Sequence, residues 1–116
     1  MVELLRGLEN ERLAKICCIY LNALREVLDF EVVAMGSPDQ TTIDIAGILN
    51  GAILSRSHST IVLLNHPDSP AAPSSEERAA FGKLRAVSKE VRVWVRDMVI
   101  VSAHDWYSMH SQGGLG

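Results

Sequence analysis

Apolar and polar positions alternate in two different rhythms along this chain, and the changes of rhythm mark its elements. From Ala14 to Leu21 the sequence is nearly all apolar, Ala-Lys-Ile-Cys-Cys-Ile-Tyr-Leu, which predicts a buried strand. A turn near Asn22 leads to a second apolar run, from about Val27 to Met35, that stops at the turn formers Gly36-Ser37-Pro38-Asp39. The two runs read as a β-hairpin. From Thr41 the period becomes helical: Thr42 can cap, Asp44 falls in the first turn, and Ile45, Ile48, Leu49 and Ile53 share a face, giving a helix over about 43–55. Upstream of the hairpin, Leu4, Leu5 and Leu8 suggest a short amphipathic turn.

Ser59 to Leu64 reads as another buried strand. It delivers the chain into a loop, 65–74, that holds three of the four prolines and is therefore expected to be an extended excursion from the strand end. Ser74 or Ser75 then caps a second helix with Glu76 and Glu77 in its first turn, favourable beside the positive end of the helix dipole. Ala80, Phe81, Leu84 and Val87 would form its inward face. Alternating Val91, Val93 and Val95 predict one strand, Met98 to Val101 a further one, and Trp106 to Met109 a last short one, before a frayed tail over 112–116. The order predicts a mixed α/β fold, a curved sheet sandwiched by helices. That order is not the order of a doubly wound nucleotide fold, and no glycine-rich phosphate loop follows any strand, so a Walker or dinucleotide fingerprint is absent.

Composition sets the limits on this picture. At 116 residues and 47% apolar, the chain is one domain, 1–116, able to bury a core without staples. Eleven basic residues against 14 acidic ones give a net charge of -3, which argues against strong nonspecific nucleic-acid binding. Cys17 and Cys18 are adjacent in a strand, so they point to opposite faces and cannot easily bond each other; they read as small buried hydrophobes of a reduced, cytoplasmic protein. The N-terminal residues show no signal-peptide pattern, and no apolar run reaches about 18 residues, so membrane spanning is not expected.

One segment carries chemistry. Leu64-Asn65-His66-Pro67 is followed, after six residues, by Ser74-Ser75-Glu76-Glu77. An imidazole at a strand end and a carboxylate at a helix start, joined by a stiff loop, follow the logic of a metal site, in which a catalytic zinc takes three protein ligands and leaves a position for water. The segment resembles the JAMM (MPN) metallopeptidase motif, and is most similar to the bacterial RadC family, whose loop typically reads His-Asn-His-Pro, then Pro-Ser, with an Asp three positions on. Asn65, His66, Pro67, Pro73 and Ser74 match that pattern at the same spacing. Glu31-Val32-Val33-Ala34-Met35-Gly36-Ser37 looks like the strand that carries the family's general base. Asp97-Met98-Val99-Ile100 and Trp106-Tyr107-Ser108 resemble its last strands, so the likeness covers nearly the whole chain.

The resemblance implies a cytidine-deaminase-like JAMM/MPN fold, with Glu31 and Ser74 as catalytic residues and His66 and Glu77 as zinc ligands. The departures matter as much. Leu64 stands where the family has its first zinc-binding histidine, the last ligand is Glu77 instead of Asp, and Arg96-Asp97 replaces an Asp-His pair, which would set Arg96 near the pocket mouth. Zinc binding is therefore expected to be weak. Each residue also has a plainer role open to it: His66 a loop hydrogen bond, Glu77 a first-turn acid, Ser74 a helix cap, Glu31 an outward carboxylate. His58, His104 and His110 read as surface residues, and Trp94 and Trp106 as core or edge aromatics.

Three functions follow. The first is a RadC-like domain with weakened or lost zinc-dependent hydrolysis and an interaction or accessory role toward an unidentified protein or peptide. The second is an active metallopeptidase that uses Asp68 or Asp97 as substitute ligand. The third is a DNA-repair accessory, although the chain begins too late to contain the family's usual helix-hairpin-helix region. An exposed sheet edge would also permit a homodimer.

Overall fold

In the computed structural model, which describes residues 14–36, 43–67, 70–103 and 105–111, the elements follow the order β1 (Ala14–Leu21), β2 (Val27–Gly36), α1 (Ile45–Leu54), β3 (Ser59–Asn65), α2 (Ser75–Glu90), β4 (Trp94–Val101) and β5 (Trp106–Ser108). The strands form one mixed sheet in the order β2-β1-β3-β4-β5. Only β3 and β4 are parallel; the other neighbours are antiparallel. The predicted hairpin is present, and Leu4 to Leu8 and the 112–116 tail lie outside the described residues.

β1 and β3 are apolar on both faces because each lies between two other strands, with packing above and below. Ile16, Cys18, Tyr20, Val62 and Leu64 join Ile48, Leu49 and Ala52 of α1 and Phe81 and Leu84 of α2 in one cluster, so both helices lie over the same face. Cys17, Ile19, Leu21, Leu63, Val99 and Val101 form a second cluster on the other face. The adjacent cysteines thus serve opposite cores. Burial pushes the Cys18 thiol up to about 12, which leaves it protonated and inert as a nucleophile.

Several expected details shift, each for a local reason. Asp44 is the N-cap of α1, its Oδ1 accepting the Gly47 N–H at 3.0 Å, instead of a first-turn residue; Thr42 lies outside the described residues. The buried stripe of α1 is Ile48, Leu49 and Ala52, which turns Ile53 toward solvent. On α2 the stripe runs through Phe81, Leu84 and Ser88, not Val87; the Ser88 hydroxyl is satisfied by donating to the Arg85 carbonyl at 2.9 Å, so a serine can take a core position. Val91 belongs to the end of α2 rather than to a strand.

The two strands expected around residues 91–101 are one, β4, unbroken by Arg96-Asp97. Both charged side chains find partners along the sheet. Arg96 Nε donates to Ser59 Oγ at 2.9 Å, and the Asp97 carboxylate accepts the Ser108 hydroxyl together with the backbone N–H groups of Met98 and His110. No helix among the described residues is long and apolar enough to cross a membrane.

Both helices end in the same way. Ser57 N–H bonds the Ala52 carbonyl and Arg56 N–H that of Ile53; Val93 N–H bonds the Ser88 carbonyl and Arg92 N–H that of Lys89. These are Schellman closures, whose left-handed residue is usually glycine. Here it is Arg56 (φ 53°) and Arg92 (φ 59°), and the β1–β2 turn places Arg25 (φ 64°) in the same region. A side chain there costs roughly 1–2 kcal/mol.

Two predictions follow from this packing. Arg92→Gly relieves the left-handed strain and is expected to raise stability by roughly 0.5–1 kcal/mol, read as a higher denaturation midpoint in urea. Gly51 faces the sheet so closely that a Cβ would stand 2.2 Å from the Tyr20 hydroxyl. Gly51→Ala is therefore expected to lose about 1–3 kcal/mol in the same measurement, since a rigid phenol must move.

Candidate functional site

His66 lies one residue beyond β3, and its backbone N–H extends the parallel ladder by donating to the Val101 carbonyl at 2.7 Å. The preceding Asn65 is buried and accepts the Lys15 N–H through its Oδ1, which fixes the point where the chain leaves the sheet. The loop then folds back on the imidazole. Nδ1 of His66 stands 3.0 Å from the Pro70 carbonyl, an atom that can only accept, so Nδ1 carries a proton and Nε2 is aimed away from the loop.

Nε2 meets Oε2 of Glu77 at 2.7 Å. Glu77 is the third residue of α2 and completes a capping box: its N–H donates to Ser74 Oγ at 3.0 Å, and its Oε1 accepts the Ser74 N–H at 2.8 Å. The carboxylate therefore faces two ways, one oxygen holding the helix start and the other holding the imidazole. Ala71, buried between these anchors, donates its N–H to Asp105 Oδ1 at 3.2 Å, and Asp105 also takes the Ser102 hydroxyl. The loop is thus tied to β4 and to the turn that follows it.

His66 and Glu77 are mostly shielded, with side chains 16% and 17% exposed. The Glu77 hydrogen bond holds the His66 imidazole above its ordinary value, outweighing the opposing effect of burial. Burial alone would raise Glu77, but the His66 hydrogen bond and the Ser74 N–H hold it below the ordinary range. Both ring nitrogens face acceptors, so the imidazole, wherever it is protonated, forms a charge-assisted pair with the carboxylate.

Three of the residues singled out from the sequence, His66, Ser74 and Glu77, are therefore adjacent. Glu31 keeps different company. It pairs with Cys18 across β1–β2, is exposed at the edge strand, and accepts the Tyr20 hydroxyl at 3.3 Å through Oε1. Its row of the sheet passes through Cys18 and Val62, four residues short of His66, or about 13 Å along the strand.

Leu64 is 5% exposed, paired with Ile16 on one side and Ile100 on the other, inside the cluster under the helices. Asp97 pairs with Ile61, about 16 Å along β3 from His66, and its carboxylate is occupied by Ser108 and His110. That distance removes Asp97 as a substitute ligand. Asp68 lies outside the described residues. Arg96, expected near the pocket mouth, is instead bound to Ser59 at the opposite end of β3. Trp94 and Trp106 are exposed at strand ends, as are His58 and His110 in their turns, while His104 lies outside the described residues.

Among the described residues no group of three His, Cys, Asp or Glu side chains gathers to hold a metal. Among the described residues the donor set falls short of a three-ligand zinc centre: two donors face each other, and the position of a third is a leucine built into the core. The Pro70 carbonyl and Asp105 were invisible to residue-type reasoning: a backbone acceptor has no sequence signal, and Asp105 acts only through a loop closure.

A model of the RadC-like JAB domain family matches residues 1–115. The chain is 29% identical over 97 residues to a UPF0758 protein of Chlorobium chlorochromatii (strain CaD3), a stretch that covers 84% of this chain and 44% of that protein. It is 31% identical over 98 residues to a UPF0758 protein of Pseudomonas fluorescens, with the same coverage, and 26% identical over 115 residues to one of Bacillus cereus (strain AH187), covering 99% of this chain and 50% of that protein. The chain spans about half the length of these relatives.

The ion pair has a pH signature. A raised His66 contributes stability that is complete below its ordinary value of 6.5 and is lost as pH rises through its folded value; a lowered Glu77 contributes stability that is complete above its ordinary value of 4.5 and is lost as pH falls through its folded value. Glu77→Gln is thus expected to lose about 1–2 kcal/mol between those two values, with the gap to wild type narrowing as pH rises through the folded value of His66. Urea midpoints at a series of pH values, with the His66 titration followed by NMR, check this. An unchanged His66 titration in the variant would contradict the pairing.

Proposed function

The chain belongs to the RadC-like JAB domain family, and from that premise we propose that it is a member in which zinc-dependent hydrolysis is weakened or lost and which acts as an interaction or accessory module. The observation that carries this reading is the fate of residue 64. A leucine has no lone pair to give a metal, and here it is packed between Ile16 and Ile100 as part of the core. What would be the remaining ligands, His66 and Glu77, neutralise each other directly. A cation entering the site would have to replace that contact, for the return of two protein donors among the described residues.

Glu31 and Ser74 keep their plainer duties in this reading. Ser74 caps α2, and Glu31 takes the Tyr20 hydroxyl. The competing reading, an active hydrolase completed by a substitute carboxylate, loses Asp97 to the sheet register.

Elemental analysis after dialysis against micromolar zinc tests the proposal, and well under one zinc per chain is expected. One tightly held zinc would overturn it. Leu64→His then asks whether the missing donor is the cause. Without zinc the variant is expected to lose about 2–4 kcal/mol, because an imidazole replaces a buried leucine. Added zinc should restore part of that loss and bind more tightly than to wild type by calorimetry. A folded variant with no gain in zinc affinity would show that residue 64 is not the deciding position.

A further inference from the structure

The end of the sheet remote from His66 has a character of its own. Leu21, Ser59 and Trp94 lie side by side there on β1, β3 and β4, and the β1–β2 turn and the ends of α1 and α2 all open beside that row. Four strands at about 4.8 Å spacing make the row roughly 15 Å wide. Each of the three turns presents an arginine in the left-handed conformation, Arg25, Arg56 and Arg92, where a glycine would fit with less strain. All three are exposed, and no side chain among the described residues forms an ion pair or hydrogen bond with their guanidinium groups. Lys89 adds a fourth cation. The carboxylates at this end are Glu26, which is engaged by the Asn22 side chain at 2.9 Å, Asp29, which accepts the Phe30 N–H one row further in, and Glu90.

The same turns expose large apolar side chains. Leu24 is 80% exposed, Leu54 75% and Trp94 54%. In a chain of net charge -3, cations and apolar side chains are thus brought together at one end. We propose that this end is a docking surface for an acidic polypeptide segment that interleaves carboxylates with apolar side chains. Arginine and tryptophan beside aliphatic anchors are the composition that protein interfaces favour. A single-stranded nucleic acid would call for a series of stacking rings, and among the described residues this end offers only Trp94 and the smaller ring of His58. An anionic bilayer would be repelled by the chain's net charge beyond the three turns. The segment's carboxylates pair with the guanidiniums, and its apolar side chains cover Leu24, Leu54 and Trp94.

Selection of random short peptides displayed on phage against the full chain tests this surface. Recovered peptides are expected to be rich in Asp and Glu interspersed with Leu, Ile, Phe or Trp. A synthetic copy of the best of them should bind less tightly as salt rises, and roughly tenfold or more weakly to Arg56→Glu/Arg92→Glu and to Leu54→Ser. Arg56→Gly/Arg92→Gly removes the same cations while suiting both turns, so its loss of binding cannot be ascribed to unfolding. Peptides without acidic bias, or affinity unchanged in the glycine pair, would overturn the proposal. So would preferential binding of oligothymidine or of phosphatidylserine vesicles that is abolished in the same variants. Zinc loading is read at the other end of the sheet, so the two proposals fail separately.

Discussion

β3 and β4 run parallel, and a parallel pair cannot be joined by a tight turn. The chain has to leave the far end of β3, pass over the face of the sheet and return to the start of β4. That single constraint places a loop and a helix start beside the last residue of β3, and so brings His66 and Glu77 together although 11 positions separate them. It also fixes which end of the sheet holds the ion pair and which end collects the turns that follow the helices. The prolines of the loop and the capping box at Ser74 refine the crossover; they do not create it.

The strands were legible in the sequence where burial on both faces produced continuous apolar runs, and β1 was read to its exact limits, Ala14 to Leu21. The loop and the cap were legible too, since prolines and a serine three residues before a glutamate each have one physical meaning at a helix start. What escaped was set by tertiary partners. Arg96 and Asp97 look like a break in an apolar pattern until Ser59 and Ser108 are seen to receive them, and Ser88 looks polar until its hydroxyl is closed onto the helix backbone. At the candidate site, the identity of the residues was visible in the motif. Their mutual distances, and the remoteness of Asp97 from His66, depend on the register of β3 against β4, which no local pattern encodes.

Residue 64 shows how one position can serve either chemistry or packing. The alternation of β3 puts it on the face that carries the helices, two residues before His66, where a polar side chain would need a partner in order to be tolerated. Leucine removes that requirement and adds to the core shared by the hairpin, both helices and β4. The apolar strand end and the contact between His66 and Glu77 are therefore two aspects of the same arrangement: once the core claims residue 64, the imidazole beyond it faces the nearest carboxylate.

The capping box ties the helix start to the loop through a single carboxylate. Oε1 of Glu77 accepts the Ser74 N–H while Oε2 faces His66, so the rotamer that closes the first turn of α2 is also the one that meets the imidazole. A change that pulls the imidazole away leaves the cap in place, whereas one that opens the cap also frees the carboxylate to turn from His66. The contact between loop and helix therefore depends on the helix start more than the helix start depends on the contact.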